Sequence, residues 1–399
     1  MNSIMHEEAR ELVEWQTEAE VLSIYTAMQE VKDARRTQGK RYPLALVLTY
    51  LLLGKAAGET TLQAISEWIR LRADWLQEVL PGVRPTFPCA ATYSNVLRAV
   101  DPDQVNQILM ALLTRLRADQ RTEGEQVHVA LDGKTLRGTQ KHLAEDQAKM
   151  HQINLYETHT GIVLKEAVVG EKESEQKRAE ALFTPVFVKG RIVSADALHT
   201  HASVCASIIA SGGDYLLIAK DNQPTLKDDL SLFFGEPPAD CRDWRTSQTT
   251  NLGHGRLEQR ELVTSTERND FLARQWPGVG QVFRLRRRVH KPLVCTQQIV
   301  SGITSLTPQQ AGPDRLLELN REQWAIENRL QYRRDVTLKE DACQVRKGSA
   351  PRALAVLNSF LLAFFDWLGV TNVASQMRTF SARPFLALRL LVGTLQRIK

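Results

Sequence analysis

Cysteine is scarce: Cys89, Cys205, Cys241, Cys295 and Cys343 are the five present, widely spaced and without a CxxC pair. That excludes a zinc knuckle or a disulfide framework and favours a reducing, cytoplasmic setting. Long apolar runs are also missing. Leu44 to Leu53 is followed by Lys55, and Leu354 to Val370 carries Asn358, Ser359 and Asp366. Neither reaches the roughly 20 apolar residues of a membrane span, so both predict buried helices. The start, MNSIMHEEARELVEW, is acidic and lacks the basic-then-apolar order of a secretory leader. GKT at 133–135 lacks the upstream glycine of a phosphate-binding loop, His128 standing in its place, and no GxSxG elbow is present. Net charge is only +5 over 399 residues, too small an excess to assign a polyanionic partner by itself. With 43% hydrophobic and 24% charged residues, the composition is that of a folded chain of two or three units.

Residues 1–118 keep helical spacing, as in Leu44, Val47, Leu48, Leu51 and Leu52, and predict an all-α N-terminal domain. The pattern then changes to short strands, VHVALD, HQINLYE, GIVLKEAVVG, RIVSAD and DYLLIAK, with helix candidates at 174–183, 200–211 and 223–234. Three strands followed by alternating helices and strands predict an α/β fold, a ribonuclease H-like mixed five-stranded sheet over 119–235. Residues 236–312 break the alternation with several glycines and the strand-like QVFRLRRRV and CTQQIVSGI, and predict a β-rich insertion. Helical spacing returns at 313–370, the second part of the core, before a tail at 371–399.

Asp132 and Asp196 each end an apolar strand, and the expected strand order makes those strands neighbours. Oxygen ligands of this kind suit Mg²⁺, usually with substrate phosphates completing the shell. Glu327 is the third candidate. On an α-helix, Gln323, Gln331 and Arg334 share its face. Taken singly, each acid reads equally as a turn former, a cap or a solvated side chain. Basic residues sit nearby in sequence: Lys134 after Asp132, Lys220 with Asn222 and Gln223 after the last core strand, and Arg284, Arg286 and Arg288 alternating along one strand. Alternate strand residues are roughly 6.6 Å apart, suited to tracking phosphates, although a charged edge strand has the same pattern. His142, His151, His159, His199 and His201 lack matched Cys or Glu spacing and read as surface or hydrogen-bonded histidines.

Five ordered blocks carry a family likeness: ALDGKTLRGT, IVSADALHTH, GGDYLLIAKDNQPTL, GHGRLEQREL and REQWAIENRLQYRRDVTLKED. Upstream, DARRTQGKRYPLALVLTYLLLGKAAGETTLQAISEWI and FPCAATYSNVLRAVD support it. Together they resemble the ISAs1 family of bacterial insertion-sequence transposases, also known from H-repeat-associated proteins. The resemblance implies a DDE domain with Asp132, Asp196 and Glu327 as catalytic and metal residues. It implies two Mg²⁺ ions, replaceable by Mn²⁺, and DNA as substrate, bound by a homodimer or higher oligomer. Lys134, Lys220, Asn222, Gln223, Arg256, Arg284, Arg286, Arg288 and Arg334 are the expected DNA contacts, with Lys220, Asn222, Arg256 and Arg334 also candidates for the transition state. Departures fall at Gln323, at Gln331 and Tyr332, and at His201. They spare the carboxylates but touch substrate positioning, and so carry the alternative of a catalytically impaired or repurposed DNA-binding protein. A metal nuclease that never joins strands is the other alternative.

Overall fold

The structure, a computed structural model, describes residues 23–80, 84–117, 126–137, 150–170, 173–253 and 255–393. The expected boundary between helical and strand regions at 118/119 lies outside the described residues.

Helical periodicity in the first part is realised as α1 (Ile24–Gln29), α2 (Leu44–Ala56), α3 (Leu62–Arg70), α4 (Ala73–Val79), α5 (Ala90–Ala99) and α6 (Pro102–Leu116). Ser23, Thr61 and Asp101 cap α1, α3 and α6 by accepting the backbone N–H of Thr26, Ala64 and Asp103. Every residue of α2 is buried, as its uninterrupted apolar run requires. It shares one core with the other long apolar run, which forms α13 (Ala350–Trp367) far along the chain. Among the described residues no helix is long and apolar enough to cross a membrane.

The strands follow in chain order: β1 (Val127–Thr135), β2 (His151–Glu157), β3 (Val163–Val169), β4 (Arg191–Ala195) and β5 (Asp214–Ala219). Helices α7 (Glu175–Glu180) and α8 (Pro185–Val188) separate β3 from β4, α9 (Ala202–Ala210) separates β4 from β5, and α10 (Pro224–Gly235) follows β5. β1, β2 and β3 form an antiparallel meander, while β1, β4 and β5 run parallel. Next come β6 (Arg245–Gly253), β7 (Arg256–Ser265), the short α11 (Asn269–Leu272), β8 (Gln281–Lys291) and β9 (Val294–Thr304).

The sheet has nine strands rather than the expected five, in the order β3-β2-β1-β4-β5-β9-β8-β7-β6. The region 236–312 continues the same sheet, because β9 pairs antiparallel with the edge that β5 presents. Unpaired strand edges leave donors and acceptors that a further strand satisfies. Gly302 permits the approach, since a β-carbon there would collide with the Leu217 carbonyl and the Phe283 ring. One face of the sheet buries Val129, Leu131, Val282 and Ile303 with Ile208 of α9 and Phe233 of α10. The other buries Ile192, Leu216, Leu262 and Phe283 against Leu316 and Leu319 of α12 (Pro313–Glu322). Beyond α12 the chain winds as a π-helix over Ile326–Gln331 and Arg333–Thr337, then enters α13, α14 (Val373–Ala382) and α15 (Pro384–Val392).

Candidate active site

β1 and β4 are parallel neighbours with Leu131 opposite Ala195, so the next residue on each strand is Asp132 or Asp196. Asp132 Oδ1 accepts from the Gly133 N–H at 2.8 Å and Oδ2 from Gln331 Nε2 at 2.6 Å. Asp196 caps the turn Ala197–His199: its Oδ1 accepts from the Ala197 N–H at 2.6 Å and from Lys220 Nζ at 3.2 Å. Glu327 is exposed in the first π-helical turn. All three carboxylates line one groove of about 490 Å³. Burial pushes the Asp132 carboxyl up from 3.8 to about 6, and the charges of Asp196 and Glu327 add to that against the Gly133 and Gln331 hydrogen bonds.

Among the described residues no three His, Cys, Asp or Glu side chains stand close enough to share one ion. The donor set nevertheless fits a hard divalent cation. It is all oxygen, and a cation relieves the burial and mutual repulsion that raise Asp132. A carboxylate offers more acceptor sites than the hydrogen bonds from Gln331 to Asp132 and from Lys220 to Asp196 use, so these contacts leave room for a cation.

The mount of Glu327 is held on several sides. Arg333 donates from both terminal nitrogens to Asp366 at 2.8 Å each, and Arg329 reaches Asp366 at 3.0 Å and the Thr158 carbonyl at 2.8 Å. Arg334 and Lys134, expected at DNA, belong to this mount instead. Arg334 is 0% exposed and ion-paired to Glu340 at 2.8 Å and Glu166 at 3.4 Å. Lys134 is buried against Asp335. The correction has a geometric cause: i→i+5 winding rotates each residue less than an α-helix, so offset +7 leaves the face of Glu327. Gln331, at the shorter offset, does reach the site.

Cations gather across the groove. Lys220, Arg256, Arg260, Arg287 and Arg321 line it with the three acids, and Gln323 and exposed Trp324 form part of its wall. Arg260 lies directly opposite Arg287 across β7 and β8, a like-charge pairing that is unfavourable without an anion. Nearly buried Glu258 supplies part of that compensation, meeting Arg260 at 2.8 Å and bonding Arg287 as well. Arg284, Arg286 and Arg288 project from the opposite face, where Arg284 donates to the Phe234 carbonyl of α10 at 2.6 Å and Arg286 meets Glu261 at 3.5 Å. The arginine strand is therefore read by the wrong alternate set: Arg287 faces the groove. Asn222 donates to the Ala197 carbonyl at 2.6 Å and Gln223 meets His201 at 3.2 Å, so both brace the turn after Asp196.

Two polar clusters escaped the sequence reading. Glu175, at the start of α7, lies 3.0 Å from His151 of β2 and 3.2 Å from His199 of the Asp196 turn. Hydrogen bonds from those two rings hold its carboxyl down at about 2. A β-carbon at Gly133 would collide with Glu175 and His151, which gives the glycine beside Asp132 a steric reason. Buried His128 meets Glu322 of α12 at 2.8 Å and Ser194 of β4 at 2.6 Å. Burial lowers its pKa against the pull of Glu322, and the two contacts tie α12 to the sheet a few residues before Glu327. Neither cluster has a spacing signature, because each joins three separate elements. His142 lies outside the described residues.

The family described as "Transposase DDE domain" matches residues 123–364, and "DDE_Tnp_1-associated" matches residues 25–113. The chain is 27% identical over 274 residues to the "Uncharacterized protein in dhlA 3'region" of Xanthobacter autotrophicus, covering 67% of this chain and 90% of that protein. It is 23% identical over 344 residues to the "Putative transposase YncI" of Escherichia coli O157:H7, covering 86% and 87%. It is 22% identical over 329 residues to the "H repeat-associated putative transposase YhhI" of Escherichia coli strain K12, covering 80% and 84%.

Proposed function

The chain belongs to the Transposase DDE domain family, and from that premise we propose that it is an ISAs1-type DNA transposase that cuts and rejoins the ends of an insertion sequence. Membership implies dependence on a divalent metal and a DNA substrate. In this reading β1 to β5 are a ribonuclease H-like core, 236–312 an insertion that adds the phosphate-binding wall, and 1–118 an accessory helical domain. The observation that carries it is the single groove holding Asp132, Asp196 and Glu327 opposite Lys220, Arg256, Arg260, Arg287 and Arg321.

The division of labour follows from charge. Arg256, Arg260, Arg287 and Arg321 bind the phosphodiester backbone, and their fixed guanidinium forks orient it over the acids. Lys220 exchanges Asp196 for a phosphate oxygen. Asp132, Asp196 and Glu327 would hold the divalent ions, two Mg²⁺ with Mn²⁺ as substitute, which when bound would supply Lewis-acid stabilisation of the phosphoryl group and a more acidic attacking water. Gln331 fixes the orientation of the Asp132 carboxylate. The working protein is a homodimer or larger assembly on two DNA ends in the cytoplasm.

The test is Mg²⁺-dependent nicking of a duplex carrying the inverted repeats that flank the gene. Asp132→Ala is expected to abolish nicking while retaining end binding; nicking at the wild-type rate contradicts the assignment. Wild-type protein that binds ends but nicks nothing in Mg²⁺ or Mn²⁺ selects the repurposed DNA-binding protein.

A further inference from the structure

A second cationic cavity, of about 600 Å³, lies between the N-terminal helices and the segment leading into α13. Lys55, near the end of α2, lines it and is 3% exposed. Its ammonium makes no hydrogen bond or ion pair within the described residues; its electrostatic neighbours are Cys343 and Glu340. Burying a lone ammonium is unfavourable unless an anion completes it. Three more cations line the same cavity: exposed Arg98 of α5, and Arg346 and exposed Lys347 beyond the π-helical segment. No Asp or Glu lines it, in contrast to the groove with its three acids. The first turn of α3, capped by Thr61, forms another part of the wall, and a helix N-terminus favours an anion.

We propose that this cavity binds a backbone phosphate of the DNA outside the catalytic groove, with Lys55 as the buried anchor and Arg98 and Lys347 as its rim. The inference rests on the DNA-processing reading above and extends it. The cavity joins residues from both matched segments, 25–113 and 123–364, so one phosphate there ties the helical part and the catalytic part to the same duplex. Glu327 lines the groove and Arg346 and Lys347 line the cavity, so one continuous segment of the chain contributes to both.

The test is the salt dependence of duplex binding by the full chain in chelator, comparing wild type, Lys55→Met and Lys347→Gln with the groove variant Arg287→Gln. Loss of one phosphate contact is expected to reduce the slope of log affinity against log salt by about 0.9 for Lys55→Met and for Lys347→Gln. Slopes equal to wild type in both variants, with Arg287→Gln reduced, overturn the cavity and leave the groove reading standing. Wild-type protein without DNA affinity overturns both. If Lys55→Met does not fold, Lys347→Gln and Arg98→Gln, changes at exposed rim positions, decide the matter by the same slope. Titration with inorganic phosphate separates the remaining source: Lys55-dependent thermal protection by phosphate with unchanged DNA slopes assigns a free anion and overturns the proposal.

Discussion

At the scale of the residue, Asp132 carries the tension of the site. Its folded pKa is raised from 3.8 to about 6, so the folded chain binds the proton more tightly than the unfolded chain. Metal-free stability therefore falls as pH rises from 3.8 to about 6 and stays lower above it. At 1.36 kcal/mol per unit the loss has a ceiling of about 3 kcal/mol, reduced by solvent reaching the groove. Asp132→Asn removes the penalty: thermal unfolding without divalent metal should show a stabilised variant at pH 7.5 and near equality with wild type at pH 4. A variant less stable at pH 7.5 contradicts the electrostatic account. β1 runs on past Asp132 to Thr135, but the place of Asp196 just past a strand was legible as a local feature of sequence. The role of Gly133 was not, since Glu175 and His151 approach it from distant elements.

At the scale of the element, the π-helical stretch decides which side chains meet. An α-helical wheel puts Arg334 beside Glu327, whereas wider winding carries it beneath the sheet between Glu166 and Glu340. Ser359 donates to Glu166 at 2.7 Å and Asn358 to Glu340 at 2.8 Å, completing a buried polar network. Arg334→Met leaves two buried carboxylates without their cation, a loss of about 3–5 kcal/mol. Urea unfolding should show that loss, whereas an arginine that touches DNA alone would leave stability unchanged. The helical spacing read from residue 313 onward is matched by a helical segment whose Leu316, Leu319, Ile326 and Leu330 are all buried. A change of helical winding leaves no mark in that pattern, and the contacts that accompany it are tertiary: Asp366 with Arg329 and Arg333.

At the scale of the whole molecule, the continuation of the sheet brings the cationic wall to the acids. Because β9 joins β5, residues of β7 and β8 reach the same groove as Asp196 and Glu327. Alternation along β8 was readable, but which face met the groove depended on packing against α10 and α12, invisible from QVFRLRRRV alone. The two faces give opposite expectations. Arg287→Gln should weaken DNA binding and lower its salt slope by about 0.9, while Arg286→Gln should leave the slope at the wild-type value. Fluorescence anisotropy across a salt series distinguishes them, and a reversed ranking contradicts the face assignment.

We propose that Asp132, Asp196 and Glu327 take up divalent metal as a unit, and electron paramagnetic resonance of Mn²⁺ titrated into the protein bound to a duplex carrying its element's ends is the deciding measurement. Two bound ions are expected for the wild type, with weakened or lost binding in Asp132→Asn, Asp196→Asn and Glu327→Gln alike. Wild-type Mn²⁺ uptake in any one of the three folded variants contradicts it.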